Sequence, residues 1–359
     1  MHIPDGYLSP STCAVLYGGS GIAWYTSLRR VRHSLNARMV PLIAVFAAFS
    51  FLVMMFNLPL PGGTTGHAIG VSVAAIVLGP AGAILSVSVA VAIQALFFGD
   101  GGILALGANC FNMAVVGSLF AYASYRLVAG GAALTSHRRV IAAAIAGYVA
   151  INLSALLAAI EFGIQPMFFH DTGGAPLYAP YPLRIAVPAM MIGHLAIAGV
   201  AEAVITAGLV AYLQSSDPAL LRTTSGLVTD GSALSSPSPT SLRHLWITVA
   251  LLLLLTPLGI LAAGKAWGEW SIHEFSEPRG RARIQAASRD EAPPAASPAG
   301  LRRLSTIWTA PLPAYAPRFI KSAGFGYFLS AMFGVGCVLA SSLALQAVLR
   351  GRRSLGPPQ

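Results

Sequence analysis

Between Met39 and Tyr125 the chain carries a single charged side chain, Asp100. A stretch of that length without charge cannot face water, and it holds enough residues for about four helices of the ~20 residues that cross a hydrocarbon core. The remainder agrees. Hydrophobic residues make up 55% of the 359 positions and charged residues 9%, against roughly 25% charged in a soluble domain. In lipid every backbone polar group needs an internal partner, so long apolar runs without strand alternation imply helices. The expectation is an all-α polytopic membrane protein.

Apolar runs near 11–28, 39–57, 67–79, 81–98, 108–128, 140–160, 183–213, 245–263 and 321–349 are nine candidate spans. The net charge of +10 does not point to nucleic acid, because the cations gather at segment ends: Arg29, Arg30, Arg32, His33 and Arg38, then His137, Arg138 and Arg139, then Arg350, Arg352 and Arg353. That is the positive-inside pattern. It places the N-terminus outside the cell membrane, the acidic stretch 161–181 with Glu161 and Asp171 outside, and the C-terminus in the cytoplasm. The first cation, Arg29, follows the first apolar run, so a cleaved signal is not expected. Bulky His2 favours retention of Met1. Cys13, Cys110 and Cys337 form no CxxC and read as packing residues.

Two polar stretches divide the chain. Residues 1–213 form an expected seven-helix membrane domain. Residues 214–243, rich in Ser, Thr and Pro, read as a cytoplasmic linker. Residues 244–353 form a two-helix module with a large outer loop, 265–320, that contains WGEW and TAPLPAYAP. Arginines in that loop do not oppose the assignment, since long loops cross largely regardless of charge.

The chain opens MHIPDGYLSP. The Met1 amine, the His2 backbone nitrogen and His2 Nδ1 can close a five-membered and then a six-membered chelate ring on one cation. Such a nitrogen set suits Ni(II) or Cu(II) and disfavours Mg(II) and Ca(II), which want oxygen. Pro4 drives Ile3 to an extended conformation, and Pro4-Asp5-Gly6 is turn chemistry, so the terminus has a defined shape. Alone, His2 reads more readily as an unstructured polar residue at an exposed end. The glycine-rich stretch LPLPGGTTGHAIG offers a cavity and, in His67, a fourth nitrogen; a cap or core hydrogen bond is the other reading of His67.

Asp5, Gln94, Asn109 and Asn112 are candidates for the shell behind the ligands, with plain interhelical hydrogen bonds as the alternative. His194 and Glu202, about two turns apart on one helix face, are expected to pair, with holding a proton or contacting a partner as the other readings. Two enzyme-like strings fail. His273-Glu274 lacks the second histidine of HExxH, because Glu277 stands there, and GILAAGKA ends in Ala266 where a nucleotide loop needs Ser or Thr. No catalytic residue and no prosthetic group is expected, and any ATP hydrolysis belongs to another subunit. A multipass membrane enzyme or scaffold without metal transport is the alternative reading.

MHIPDGYLSP, PGGTTGHAIG, QALFFGDGGILALGANCFNMAVVG and GHLAIAGVAEAVIT resemble the signature blocks of the CbiM/NikM family, the metal-binding S components of cobalt/nickel energy-coupling-factor (ECF) transporters. The blocks cover about residues 1–213, and TPLGILAAGKAWGEW with APLPAYAP looks like a fused PDGLE, or CbiN/NikN-like, module. The resemblance implies a transported Ni(II) or Co(II) held by Met1, His2 and His67, and a membrane complex with a transmembrane coupling subunit and two ATP-binding subunits. Docking on the coupling subunit is expected through small-residue surfaces such as AAAIAGY at 142–148. PLPAYAP has Ala314 where the family pattern leads one to expect Asp, which puts a carboxylate role for that loop in doubt.

Overall fold

The computed structural model describes residues 1–34, 39–224, 239–262 and 264–351. Most of the expected linker, and Arg38, Arg352 and Arg353, lie outside the described residues. The architecture is all-α and polytopic: α1 (Pro10–Ser34), α2 (Met39–Met54), α3 (Val71–Phe98), α4 (Leu106–Ala129), α5 (His137–Phe168), α6 (Leu183–Ser216), α7 (Pro239–Leu255) and α8 (Ala323–Gly351). Among the described residues, six helices are long and apolar enough to cross a membrane, and Val40–Met54 is a shorter apolar helix. A small antiparallel hairpin, β1 (Leu58–Leu60) with β2 (Thr64–Gly66), sits between α2 and α3.

The path into α1 follows from its first residues. The Tyr7 N–H donates to Pro4 O at 3.4 Å across the expected turn, with Gly6 at φ 90°; that left-handed position is where such a turn takes glycine. Ser9 Oγ then accepts from the Thr12 N–H at 3.1 Å and Pro10 takes the first helical position, an ordinary N-cap arrangement. All of residues 1–9 are buried except Pro4, which is half-buried. Ser9 N–H also donates to Gln165 Oε1 near the end of α5 at 3.0 Å. The start of α1 and the end of α5 therefore share one face, and the clusters Arg29–Arg32 and His137–Arg139 share the other.

Val71–Phe98 is not a straight rod. Its 28 residues as one helix would separate the ends by about 42 Å, yet His67 just before it and Asp100 just after it both reach His2 Nδ1, at 3.3 and 3.2 Å. The chain reverses at Gly79 (φ 73°, ψ 169°) followed by Pro80, a left-handed glycine and a residue without an N–H. The expected runs 67–79 and 81–98 are thus two arms of one helical hairpin, and seven helical runs precede residue 217 among the described residues. One boundary moves: His67 is not at a helix start but in non-helical chain four residues before Val71. The first arm enters at depth, and Glu202 Oε2 of α6 accepts the Ile69 and Gly70 N–H groups at 2.7 and 3.0 Å, a carboxylate at a positive helix end.

Three expectations are corrected. Glu161 is not in an outer loop: α5 continues to Phe168, and buried Glu161 accepts from Asn112 Nδ2 at 2.8 Å. His194 and Glu202 do not pair; His194 Nδ1 meets Met190 O at 2.8 Å while Glu202 holds the α3 entrance. The stretch 142–148 is not a free docking face, since Ala142, Ala143, Ala146 and Gly147 are buried. A Cβ on Gly147 would lie 2.8 Å from Glu202 O and Thr206 Oγ1, so α5 and α6 meet there backbone to backbone, as small residues allow.

The C-terminal stretch is packed onto this bundle. Tyr327 of α8 donates to Met55 O at 2.7 Å, and Gly334 faces the Phe51 ring. Residues 265–321 fold as short helices, Ile272–Ser276, Pro278–Ala287 and Ala299–Leu304, over the face that carries Met1. Trp267 packs edge-on against Phe162 of α5 and Trp270, with centroids 5.7 and 5.5 Å away. Gly147→Ala is expected to destabilise the bundle by about 1–3 kcal/mol through overpacking, read as a lower thermal midpoint in detergent, whereas Gly208→Ala, in open space on α6, leaves it unchanged.

Candidate metal centre

The first three residues lie inside the protein. Met1 is 2% exposed, His2 1% and Ile3 fully buried. Ile3 is gripped at both backbone groups: its N–H donates to Asn109 Oδ1 at 2.8 Å, and Asn109 Nδ2 donates to its carbonyl at 3.1 Å. The Gly102 N–H also donates to Ile3 O at 2.9 Å. Asp5 spreads its carboxylate over the N–H groups of Ile103, Leu104 and Ala105 at 3.0, 2.8 and 3.3 Å. Gly102 is required beside it, because a Cβ there would run into the Asp5 carboxylate and backbone.

That frame brings His2 and His67 together. His67 Nε2 is 3.3 Å from His2 Nδ1, with ring centroids 5.0 Å apart. His67 Nδ1 lies 3.0 Å from Ala68 O, so the backbone takes the Nδ1 proton and leaves the Nε2 lone pair turned to His2, a second contact of the kind that orients metal-binding imidazoles. Burial lowers the pKa of both rings, His67 well below the ordinary histidine value and His2 less, because Asp100 opposes the effect. Both are neutral donors at neutral pH. Among the described residues no cluster of three His, Cys, Asp or Glu side chains could hold a metal. Two imidazole nitrogens meet here, 3.3 Å apart, beside the buried chain terminus.

The other expected shell residues fall in different places. Asn109 and Asp5 hold the terminus rather than the imidazoles. Gln94, on a π-helical turn (Gln94–Phe98) at the end of α3, faces His2 and donates to Tyr315 at 3.1 Å. Asn112 serves Glu161. Three residues at the centre carried no role in the sequence reading. Asp100 Oδ1 is 3.2 Å from His2 Nδ1, Tyr315 donates to Asp100 Oδ2 at 2.6 Å, and Glu269 Oε1 is 3.7 Å from the Met1 amine. Burial pushes the Glu269 carboxyl up to about 7 against the pull of that amine. Asp100 could have been found as the lone charge between Met39 and Tyr125; Glu269 and Tyr315 lie within noted motifs, but nothing in their spacing links them to Met1. A cleft of about 470 Å³ opens beside the centre, lined by Asp5, Gly101 and Ile103 on one side and Glu269, Trp270 and His273 on the other.

Residues 2–220 match the family model CbiM, described as the cobalt uptake substrate-specific transmembrane region. The fused nickel transport protein NikMN of Rhodobacter capsulatus is 54% identical over 98% of this chain and 98% of its own length. The probable fused nickel transport protein LarMN of Lactiplantibacillus plantarum is 42% identical over 77% of this chain and 80% of its own. A crystal structure described as a truncated transition metal transporter superposes with a TM-score of 0.57 at 50% identity, covering 60% of this chain and 99% of that one.

Asp5→Ala leaves the Ile103–Ala105 amides without their acceptor, a loss of about 1–3 kcal/mol. A lower thermal midpoint in detergent is expected, with Asp5→Asn, which keeps an acceptor oxygen, falling between the variant and the parent.

Proposed function

The chain belongs to the CbiM family, and from that footing we propose that it is the ion-capturing component of an ATP-driven ECF importer for divalent nickel or cobalt. It is a multi-pass membrane protein whose relatives are metal transport proteins. The proposed ligands are the Met1 amine, the His2 amide and imidazole, and His67. The observation that carries this reading is the buried terminus with His67 Nε2 3.3 Å from His2 Nδ1. Four nitrogens from three residues favour a late transition ion over the oxygen-seeking Mg(II) and Ca(II) that exceed it in abundance. Likeness to the two fused nickel transport proteins over most of the chain favours nickel as the cargo.

The face that carries Met1 is taken as extracytoplasmic, because the cation-rich helix ends lie at the opposite face. An arriving ion sheds water in the cleft beside Glu269 and Asp5, displaces protons from the terminus, and ties the N-terminal segment to the chain before α3. Residues 1–213 form the ion-binding unit and 244–353 the accessory module that covers it. A coupling subunit and two ATP-binding subunits then move the loaded protein. Because Glu202 joins α6 to the Ile69–Gly70 backbone, a displacement of α6 from the cytoplasmic side shifts His67 relative to His2 and opens the site. No prosthetic group takes part; the ion is cargo.

One residue added before Met1 converts the amine to an amide and removes the first donor. Isothermal titration of the detergent-solubilised full chain is expected to show loss of stoichiometric Ni(II) and Co(II) binding in that extended form, in His2→Ala and in His67→Ala; undiminished binding in all three overturns the ligand set. Since burial lowers both imidazoles, their protonation competes with the ion only below the ordinary value of about 6.5. As pH falls through that range, affinity drops, because protons and metal contend for the same nitrogens.

A further inference from the structure

The outer stretch 265–321 does more than cover the centre. Glu269, between two buried tryptophans, brings its carboxylate to 3.7 Å from the Met1 amine. Tyr315, at 2.6 Å from Asp100 Oδ2, acts on the carboxylate whose other oxygen is 3.2 Å from His2 Nδ1. The phenol is held in place on every side. Its ring stacks flat on Phe98, with centroids 4.5 Å apart and planes 19° apart, and Gln94 Nε2 donates to its oxygen at 3.1 Å. Ala314 and Tyr315 both take left-handed backbone, at φ 53° and 58°, a conformation that side-chain-bearing residues rarely adopt and that persists where surroundings enforce it. Ser330 Oγ donates to Tyr315 O at 3.0 Å and the Leu312 N–H to Phe97 O at 2.9 Å.

A divalent ion adds charge to a place that is otherwise apolar. Nitrogen ligands are neutral or replace a proton and leave positive charge over, which in a low-dielectric setting needs a compensating anion close by. Two carboxylates answer that need, and they come from different parts of the chain: Asp100 from the turn after α3, and Glu269 from the outer stretch.

We infer that the outer stretch is part of the metal centre, with Glu269 as a charge-compensating residue beside the terminal amine and Tyr315 as the residue that positions Asp100 on His2. This rests on the proposed ligand set of Met1, His2 and His67. Neither residue is a ligand: Glu269 acts on the Met1 amine directly, and Tyr315 acts through Asp100, the carboxylate held beside His2. Changes behind a metal ligand characteristically weaken affinity 10–100-fold.

The test uses the full chain in detergent, titrated with NiCl2, with the ligand-field absorption of the bound nickel recorded in parallel. Glu269→Gln keeps the shape and removes the charge; Glu269→Asp keeps the charge and shortens the arm. A charge role ranks Asp above Gln, whereas a packing role ranks Gln above Asp. The expected result is a loss of about 10–100-fold for Glu269→Gln, a smaller loss for Glu269→Asp, and a loss of about tenfold for Tyr315→Phe, which keeps the stack on Phe98. Glu274→Gln, which alters an ion pair with Lys265 in the same stretch, binds like the parent. The absorption spectrum is unchanged throughout, because the donor atoms are unchanged. Affinity within twofold of the parent for both Glu269→Gln and Tyr315→Phe, a Gln-above-Asp ranking, or an altered spectrum in Glu269→Gln overturns the inference. His67→Ala in the same series separates the two levels: if it binds normally the ligand set is wrong, and if it alone loses binding the ligand set stands and the role of the outer stretch falls.

Discussion

A charged chain terminus sits where water is nearly absent, and most of the specialised geometry near it follows from that. An ammonium and an imidazole taken out of water are costly unless each finds partners. The amine faces Glu269, His2 faces Asp100 and His67, and Ile3 is held by Asn109 at both its backbone groups. The turn at Pro4–Gly6 and the Asp5 carboxylate on three successive amides then fix the direction from which the segment arrives. None of these contacts is large by itself. Together they order nine residues that at an ordinary terminus would fray.

The second requirement is to bring His67 to the same point from within the membrane. Irregular backbone at membrane depth is tolerated only where it is buried in protein or lines a cavity, and the non-helical chain from His67 to Gly70 is buried throughout. Its amides would be stranded without Glu202, which binds two of them and also sits at the positive end of the first α3 arm. The reversal at Gly79 then returns the chain so that Asp100 lies beside the imidazole from which the hairpin set out. One helical hairpin therefore supplies a nitrogen donor at one end and a carboxylate at the other.

Much of this was legible in the residues. Helical class and multiple spans follow from charge scarcity and run lengths; the shaped terminus follows from Pro-Asp-Gly; and the approach of His2 to His67 follows from chelate chemistry and a shortage of other polar partners. What stayed hidden depends on long-range placement. Hydropathy cannot say that α5 runs on past Glu161, since a buried carboxylate looks like a boundary until Asn112 is seen to satisfy it. Small residues at 142–148 advertise a close helix contact but not which helix takes it. Glu269 and Tyr315 are separated from Met1 by most of the chain, and no local period links them.

Fusing the outer stretch to the bundle has a physical consequence beyond convenience. Its hold on the face that carries Met1 is made of separate, mostly backbone-directed bonds: Thr65 N–H to Lys265 O at 3.0 Å, Trp308 Nε1 to Leu96 O at 2.8 Å, and Tyr7 hydroxyl to Trp270 O at 2.7 Å. Tethering by α7 and α8 keeps the effective concentration of the cover high even when those bonds part. A covalently tethered cover keeps its Glu269 carboxylate beside the Met1 amine without the dilution against which a separate subunit would have to bind.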